Sequence, residues 1–444
     1  MGVVIQKLIP CREESLNWET TRNIYIEGDN LDALQLLQKQ YCGVIRLIYI
    51  DPPYNTGKSF VYSDNFRSKW RSMMQPRLAL ARNLLADTGL IFISIDHHEL
   101  WTLKALCDEI FDGKNYISVL AVENNPKGRK NSAFFSESYE FCLVYAKDKR
   151  RISGQLSARG IKKFFTGLQN NNPDRRKTLR DEYGVFKQSK RQICGCNKSG
   201  TLACVSPSER CFAIYWLKNA DGEYLELINE YDSAADSWVI SDRGRELLSQ
   251  GWTRYTGTHS ISGKPAIPLY SKETIKKLFD SHSLYFKTDG AIYEKQRENK
   301  KQITSFLPNK RFGLDLMTES ATAQMEKLFG VQGIFTNSKS VDFIKTIIQQ
   351  YPDNTITVLD FFSGSAAAAH AVMQLNAEDG GSRRFIMVQS REPCAPKSHA
   401  AGAGYANICE IGKERIRRAG KKILEETGAA HCDIGFRLYR VAEI

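Results

Sequence analysis

Hydrophobic positions fall into two textures along this chain. Up to about residue 150, dense apolar runs alternate with sets spaced at the helical period. Asn23–Glu27 reads as a short strand, and Gly28-Asp29-Asn30 turns into an amphipathic helix over Leu31–Gln40 with Asn30 at its N-cap. Val44–Ile50 is a near-continuous apolar run, the pattern of a parallel strand buried on both faces. A helix around Met73–Leu85 ends at Asp87-Thr88-Gly89, followed by strands over Leu90–Ile95 and Tyr139–Ala146. The texture returns after residue 300, with strands at Thr355–Phe362 and Arg384–Gln389 and helices at Ala366–Leu375 and Asn407–Glu425. Strand, helix and strand at this spacing predict crossover units on a mostly parallel sheet. Residues 151–300 are basic, turn-rich and aperiodic. The economical reading is one α/β domain, built from residues 1–150 and 301–444 and split by an insert over 151–300.

Composition narrows the picture. At ~150 residues per domain, 444 residues suit two or three domains. With 42% hydrophobic and 25% charged residues, disorder, collagen and a coiled coil are excluded. No run approaches the ~20 apolar residues of a membrane span, so no membrane partner is expected. The first residues lack a secretory leader's apolar core. Eleven cysteines without regular spacing fit a reduced, cytoplasmic interior better than disulfides. The net charge of +12 points to a polyanion, and it is concentrated. Residues 151–200 hold twelve basic residues against three acidic ones, a net +9, interleaved with Phe164, Phe165, Tyr183, Phe186 and the Asn170-Asn171-Asn172 run. Cations for phosphates, amides for base edges and aromatic rings for stacking make Arg175, Arg176, Lys177, Lys190 and Arg191 candidate DNA-binding residues.

Two motifs carry chemistry. The run Leu47–Ile50 delivers Asp51-Pro52-Pro53-Tyr54 to the carboxyl end of a buried strand, where open α/β sheets bind ligands. The prolines donate no N–H, so the loop presents acceptors, the Asp51 carboxylate and the Pro52 carbonyl. Two acceptors and a flat ring at Tyr54 suit the exocyclic amine of a flipped-out base. Such an amine has its lone pair delocalised into the ring; acceptors that hold its hydrogens free the pair for attack on a methyl donor. The second motif, Asp360-Phe361-Phe362-Ser363-Gly364-Ser365, follows a strand and opens a helix. Its small residues let backbone N–H groups approach a ligand carboxylate.

Together the two motifs resemble the amino-methyltransferases of DNA, in the order of the β class. Further stretches narrow this: Glu27–Leu34, Met73–Leu78, Ile91–Asp96, Asn125–Arg129, Gly404–Ile408 and Ile411–Ile416 resemble the modification subunit of type III restriction–modification systems. The resemblance implies a Rossmann-like methyltransferase domain with the insert as target-recognition domain, and S-adenosylmethionine as cofactor. It implies methylation of adenine N6 in double-stranded DNA, with Asp51, Pro52, Pro53 and Tyr54 catalytic. Asp360 to Ser365 (Asp360, Phe361, Phe362, Ser363, Gly364, Ser365) would hold the methionine end, Asp29 the adenosine end, and Phe335, Lys339 and Ser340 would lie over the methionine moiety. A restriction (helicase/nuclease) subunit and a second copy of the chain are the further partners it brings with it. Two alternatives stand beside this reading: a cytosine-N4 methyltransferase, and a catalytically silent DNA-binding subunit.

The chain departs from the resembled pattern in places. Ala367 and Ala368 stand where two threonines are usual, a loss of hydroxyl hydrogen bonds worth ~0.5–1.5 kcal/mol each. Ser338 stands where proline is common, and the loop before Trp70 is short. Other candidates read as ordinary residues. Cys194, Cys196, Cys204 and Cys211 lack paired zinc-ligand spacing, His97-His98-Glu99 is a polar strand end, and no metal is expected. Trp216, Trp238 and Trp252 read as core or turn residues. The Arg415, Arg417, Arg418, Lys421 and Lys422 cluster is spread around a helix, which leaves phosphate contact and a solvated face equally open. Neutralising Arg175, Arg176 and Lys177 together is expected to make the slope of log affinity for DNA against log salt shallower by up to about three. Fluorescence anisotropy across a salt series measures this, and an unchanged slope would take the three residues out of the interface.

Overall fold

In the computed structural model the described residues are 6–57, 64–128, 135–152, 155–156, 162–163, 168–169, 178–194, 211–258, 264–287, 290–296, 300–301, 304–310 and 313–443. The chain divides into two compact units, Met1–Ser153 with Phe164–Leu168 and Lys301–Ile444, and Gly154–Lys163 with Gln169–Lys300.

The first unit is built on one ten-stranded sheet. In chain order its elements are β1 (Gln6–Pro10), β2 (Ile24–Glu27), α1 (Asn30–Tyr41), β3 (Ile45–Ile50), α2 (Trp70–Leu84), β4 (Leu85–Ile95), α3 (Leu100–Phe111), β5 (Tyr116–Val122) and β6 (Glu140–Ala146). After the second unit come β7 (Phe306–Leu307), α4 (Thr318–Phe329), α5 (Val341–Gln349), β8 (Thr357–Asp360), α6 (Ala367–Asp379), β9 (Arg384–Gln389), α7 (Ile408–Thr427) and β10 (Arg437–Glu443). The sheet order is β1-β10-β2-β9-β8-β3-β4-β6-β5-β7. Its centre is parallel, while β6 pairs antiparallel with both β4 and β5, and β1 antiparallel with β10.

Alternation along the strands explains why both faces are covered. Leu47 and Tyr49 of β3 point into a core shared with α5, α6 and α7, whereas Ile48 and Ile50 point into one shared with α1, α2 and α3. All four are buried. This is the arrangement the apolar run required. From β3 the chain crosses to β4 on one side, and from β8 it crosses to β9 on the other. The carboxyl ends of the neighbouring strands β3 and β8 therefore open a crevice where the topology switches direction.

Several expectations shift by a residue or two. Asp29 rather than Asn30 caps α1, its Oδ1 accepting from the Leu31 N–H at 2.7 Å. Asp87-Thr88-Gly89 does not end the helix; it lies inside β4, which runs from Leu85 to Ile95. Helix α2 admits Pro76 within its length. Among the described residues, no helix is long and apolar enough to cross a membrane.

The second unit, aperiodic in sequence, contains regular structure after all. A four-stranded sheet orders Leu179–Asp181, Gly184–Cys194, Ile292–Gln296 and Leu284–Phe286, and a three-stranded one orders Gly222–Ile228, Ala213–Asn219 and Thr253–Tyr255. Helices Asp242–Ser249 and Lys272–Asp280 start at Ser241 and Ser271, each hydroxyl accepting a backbone N–H as an N-cap. Trp216 stacks on Phe286 at 4.7 Å between ring centres, and Trp238 donates to the Gly257 carbonyl at 2.8 Å. Cys211 is disulfide-bonded, which corrects the expectation of thiols throughout. Cys11, Cys42, Cys107, Cys142, Cys394, Cys409 and Cys432 are free thiols.

Close packing against the crevice is set by Gly412 of α7. A Cβ there would lie 2.7 Å from the Tyr25 hydroxyl and 3.2 Å from the Gly364 carbonyl oxygen. Tyr25 is fully buried and has no room to retreat. Gly412→Ala is expected to destabilise the protein by about 1–3 kcal/mol in urea unfolding. An unchanged midpoint would show that the helix slides freely.

Candidate active site

The loop after β3 is held by its own polar groups. Asn55 adopts φ +62°, and its Oδ1 accepts the N–H groups of Phe66 (2.9 Å) and Arg67 (2.7 Å) while its amide donates to Glu99 at 2.7 Å. Asp64, almost fully buried, accepts from the N–H groups of Asn55 at 2.7 Å and Thr56 at 3.0 Å. Trp70 donates its indole N–H to the Pro53 carbonyl at 2.7 Å. Pro52 is buried beneath. These bonds hold the backbone that presents Asp51 and Tyr54.

Four side chains converge above that loop. The Lys339 ammonium lies 2.6 Å from Glu140 Oε2, 2.6 Å from the Tyr54 hydroxyl oxygen and 3.4 Å from Asp51 Oδ1. It also sits 4.8 Å from the centre of the Tyr54 ring. The Tyr54 hydroxyl is 2.9 Å from Asp51 Oδ1 and 3.1 Å from Glu140 Oε2. Burial raises the Asp51 carboxyl to about 6; the Lys339 charge opposes that rise and the Glu140 charge adds to it. Burial, with Asp51 and Glu140 nearby, holds the Tyr54 phenol well above its ordinary value. Glu140, the first residue of β6, carries no motif signal. Only the antiparallel pairing of β6 with β4 brings it here.

Beside this cluster, β8 ends at Asp360, whose Oδ1 accepts the Phe362 N–H at 3.0 Å and whose carboxyl burial holds well above the usual range. The following turn is tight. Gly364 has φ +49° and its N–H donates to Gln389 Oε1 at 2.7 Å. Ala366, at φ +60°, precedes α6 in a left-handed conformation that costs roughly 1–2 kcal/mol for a residue with a Cβ. No side chain caps the helix. The turn borders a cavity of about 230 Å³ that also touches Asp29, Asp51, Pro53, Phe335 and Lys339. All six residues from Asp360 to Ser365 line it. Arg77, also in the lining, bridges Asn30 (2.5 Å) and Asp29 (3.2 Å), and Asn30 donates to the Phe361 carbonyl at 2.7 Å. A second cavity, of about 550 Å³, is lined by Asp51, Tyr54, Asn124 and Glu140. Asp51, Asn337 and Lys339 border both.

Comparison with known sequences settles the family. A sequence model described as DNA methylase matches residues 45–421, which takes in both motifs and everything between them. The chain belongs to the DNA methylase family. It is 30% identical to the type II methyltransferase M.KpnI of Klebsiella pneumoniae, over 89% of this chain and 87% of that one. It is 29% identical to the type III restriction-modification enzyme EcoPI Mod subunit of Escherichia phage P1, over 96% of this chain and 66% of that one. With the StyLTI Mod subunit of Salmonella typhimurium the identity is 30%, over 96% of this chain and 61% of the relative. The chain thus spans somewhat less than two thirds of the length of these type III relatives.

Within this DNA methylase the residues singled out from sequence fall in different places. Asp29, Asp51, Pro53, Phe335, Lys339 and the turn from Asp360 to Ser365 share one cavity, with Tyr54 on the adjoining one. Ser340 instead caps α5, accepting the Phe343 N–H at 3.2 Å and donating to the Asp315 carbonyl at 2.5 Å. Arg175, Arg176 and Lys177 lie outside the described residues. Lys190 and Arg191 fall in the strand Gly184–Cys194, and their side chains are likewise outside the description. Three residues of the basic cluster of α7 are engaged within the protein, while Lys421 is largely exposed. Arg415 is fully buried, Arg417 donates to the Glu14 carbonyl at 2.6 Å, and Arg418 pairs with Glu414 at 2.7 Å. His97 and His98 each sit beside a carboxylate, Glu137 at 3.0 Å and Asp96 at 2.9 Å.

The raised Asp51 carboxyl has a pH signature. A folded-state value above the ordinary carboxylate range means that ionised Asp51 costs stability at neutral pH, and the cost fades as pH falls through about 6 towards 4. Asp51→Asn is expected to raise the melting temperature at pH 8, with a gain that shrinks by about half at pH 5. An equal shift at both pH values would contradict this assignment.

Proposed function

We propose that this protein is an S-adenosylmethionine-dependent DNA methyltransferase that modifies the N6 amine of adenine, as the modification subunit of a type III restriction–modification system in the cytoplasm. One observation carries the reading: Asp51 stands where the two cavities adjoin, with a turn for a methyl donor on one side and an aromatic, acceptor-rich space for a base on the other. The residues fit the donor. The uncapped start of α6 and the glycine turn suit its amino-acid end, the Phe335 ring packs close to Gly364, and Asp29, paired with Arg77 in the same lining, suits the nucleoside. S-adenosylmethionine, when bound, supplies an electrophilic methyl group.

The protein's own groups do the rest. Asp51 and the Pro52 carbonyl accept the two hydrogens of a flipped-out amine, which turns its lone pair towards the donor cavity. Tyr54 stacks on the base. Lys339 holds the Asp51, Tyr54 and Glu140 oxygens in place before the base arrives. The methylated amine sheds one proton, and Asp51, titrating near 6, is suited to receive it. The insert selects the sequence in double-stranded DNA, and a restriction subunit and a second copy of the chain complete the assembly.

The test is incubation of the purified chain with unmethylated DNA and methyl-labelled donor, followed by digestion and mass spectrometry. Labelled N6-methyladenine is expected from the wild type. None is expected from Asp51→Ala, whose donor binding stays within a few-fold of wild type because its acceptor serves the base and not the donor. Labelled N4-methylcytosine would move the substrate to cytosine. A protein that binds DNA but no donor would be a silent subunit, and turnover by Asp51→Ala would remove Asp51 from the chemistry.

A further inference from the structure

Arg415 of α7 is wholly buried, yet it has no acidic partner among the described residues. Its Nη1 donates to Ser365 Oγ at 2.7 Å and to Ser338 Oγ at 3.0 Å, and the two hydroxyl oxygens are 3.2 Å apart. Its Nε and Nη2 have no hydrogen-bond partner among the described residues. Burial alone pushes the guanidinium down to about 9, with no neighbouring negative charge to offset it. A neighbouring histidine supplies no counter-charge either. His370 is buried too, and burial with the Arg415 charge drives its imidazole towards the neutral form. A buried cation without a counter-charge is among the costliest arrangements a fold can hold.

The other end of this arrangement is the donor cavity. Ser365 lines it, as do Ser363, Gly364 and Ala367. Ala366 places no side chain over the first N–H groups of α6, so that helix start is left to a ligand. Ser365 is buried and accepts a charge-assisted hydrogen bond, which polarises its hydroxyl and makes it a stronger donor. An uncapped helix start and a polarised hydroxyl, backed by an unpaired positive charge, together call for an anion. Ala367 and Ala368 offer no hydroxyl here, and Ser338, where proline is common in the resembled family, supplies one of the two that hold the guanidinium.

We propose that Arg415 is a positioning residue for the methyl donor's α-carboxylate: it acts through the Ser365 hydroxyl and finds its counter-charge only when the donor is bound. This rests on the donor assignment made above. It also distinguishes Arg415 from a structural arginine, because the group is costly to the empty protein and favourable to the loaded one.

Calorimetric titration of the full chain with S-adenosylmethionine and with its decarboxylated analogue separates the possibilities. The wild type is expected to prefer the carboxylate-bearing ligand. Arg415→Met should lose about tenfold or more in affinity for that ligand, bind the decarboxylated analogue as before, and melt no lower than wild type when empty. Ser365→Ala, a milder change that leaves the arginine in place, should show the same loss of preference and covers the case in which Arg415→Met does not fold. Equal weakening towards both ligands, or an unchanged preference in both variants, overturns the proposal. A wild type that binds both ligands equally overturns it while leaving the donor assignment intact. A wild type that binds neither overturns the donor assignment, and this inference with it.

Discussion

Strand β3 lies beside β8 through the register Leu47 to Val358 and Ile48 to Leu359. This pairing joins stretches separated by the whole of the second unit, and everything chemical in the first unit depends on it. One strand ends in Asp51 and the other in Asp360, so two carboxyls leave the sheet side by side, both raised by burial. Neither motif forms a site alone. The Asp51 loop and the glycine turn border one cavity only because their strands are neighbours. The opposite crossovers to β4 and β9 keep the space above the two ends open.

That space is crowded with charge, and the sign of each region differs. Around Asp51 the excess is negative, with two carboxylates sharing one ammonium. Behind the glycine turn the excess is positive, from Arg415 alone. At the edge of β2 a third group is balanced differently: buried Glu27 meets Lys413 at 2.6 Å and Arg440 at 2.9 Å, and Glu14 joins the same two cations. The last of these is closed upon itself and serves the fold. The first two are unbalanced in opposite senses. Low local dielectric makes such imbalances strong.

Much of this was legible in the sequence, and the illegible part has a common cause. The β3 run announced itself because a strand buried on both faces leaves no position free for polar residues except its edges. The Asp51 loop and the glycine turn were readable because their chemistry is local. Glu140 and Arg415 were not. Glu140 matters through the pairing of β6 with β4, which no local pattern encodes. Arg415 was grouped with its basic neighbours as a candidate for phosphate contact, yet it faces the interior while Arg417 and Arg418 bond to Glu14 and Glu414. Helical spacing shows that residues diverge around the cylinder and not which direction is inward. The second unit hid its sheets because short strands with mixed faces have no clean period. Ser340, which the resemblance set over the methionine moiety, has its hydroxyl engaged in capping α5.

The pairing of β3 with β8 also orders events during synthesis. The Asp51 strand leaves the ribosome first, then the basic insert, and the donor turn only after some three hundred further residues, about 15–60 s at bacterial rates. Through that interval β3 lacks its neighbour on one side, and a strand apolar on both faces stays unpaired at an edge. A nascent chain at this stage has its Asp51 loop and its basic segment but not the glycine turn. Strand β2 waits longer still, because both of its neighbours, β9 and β10, come after β8 in the chain.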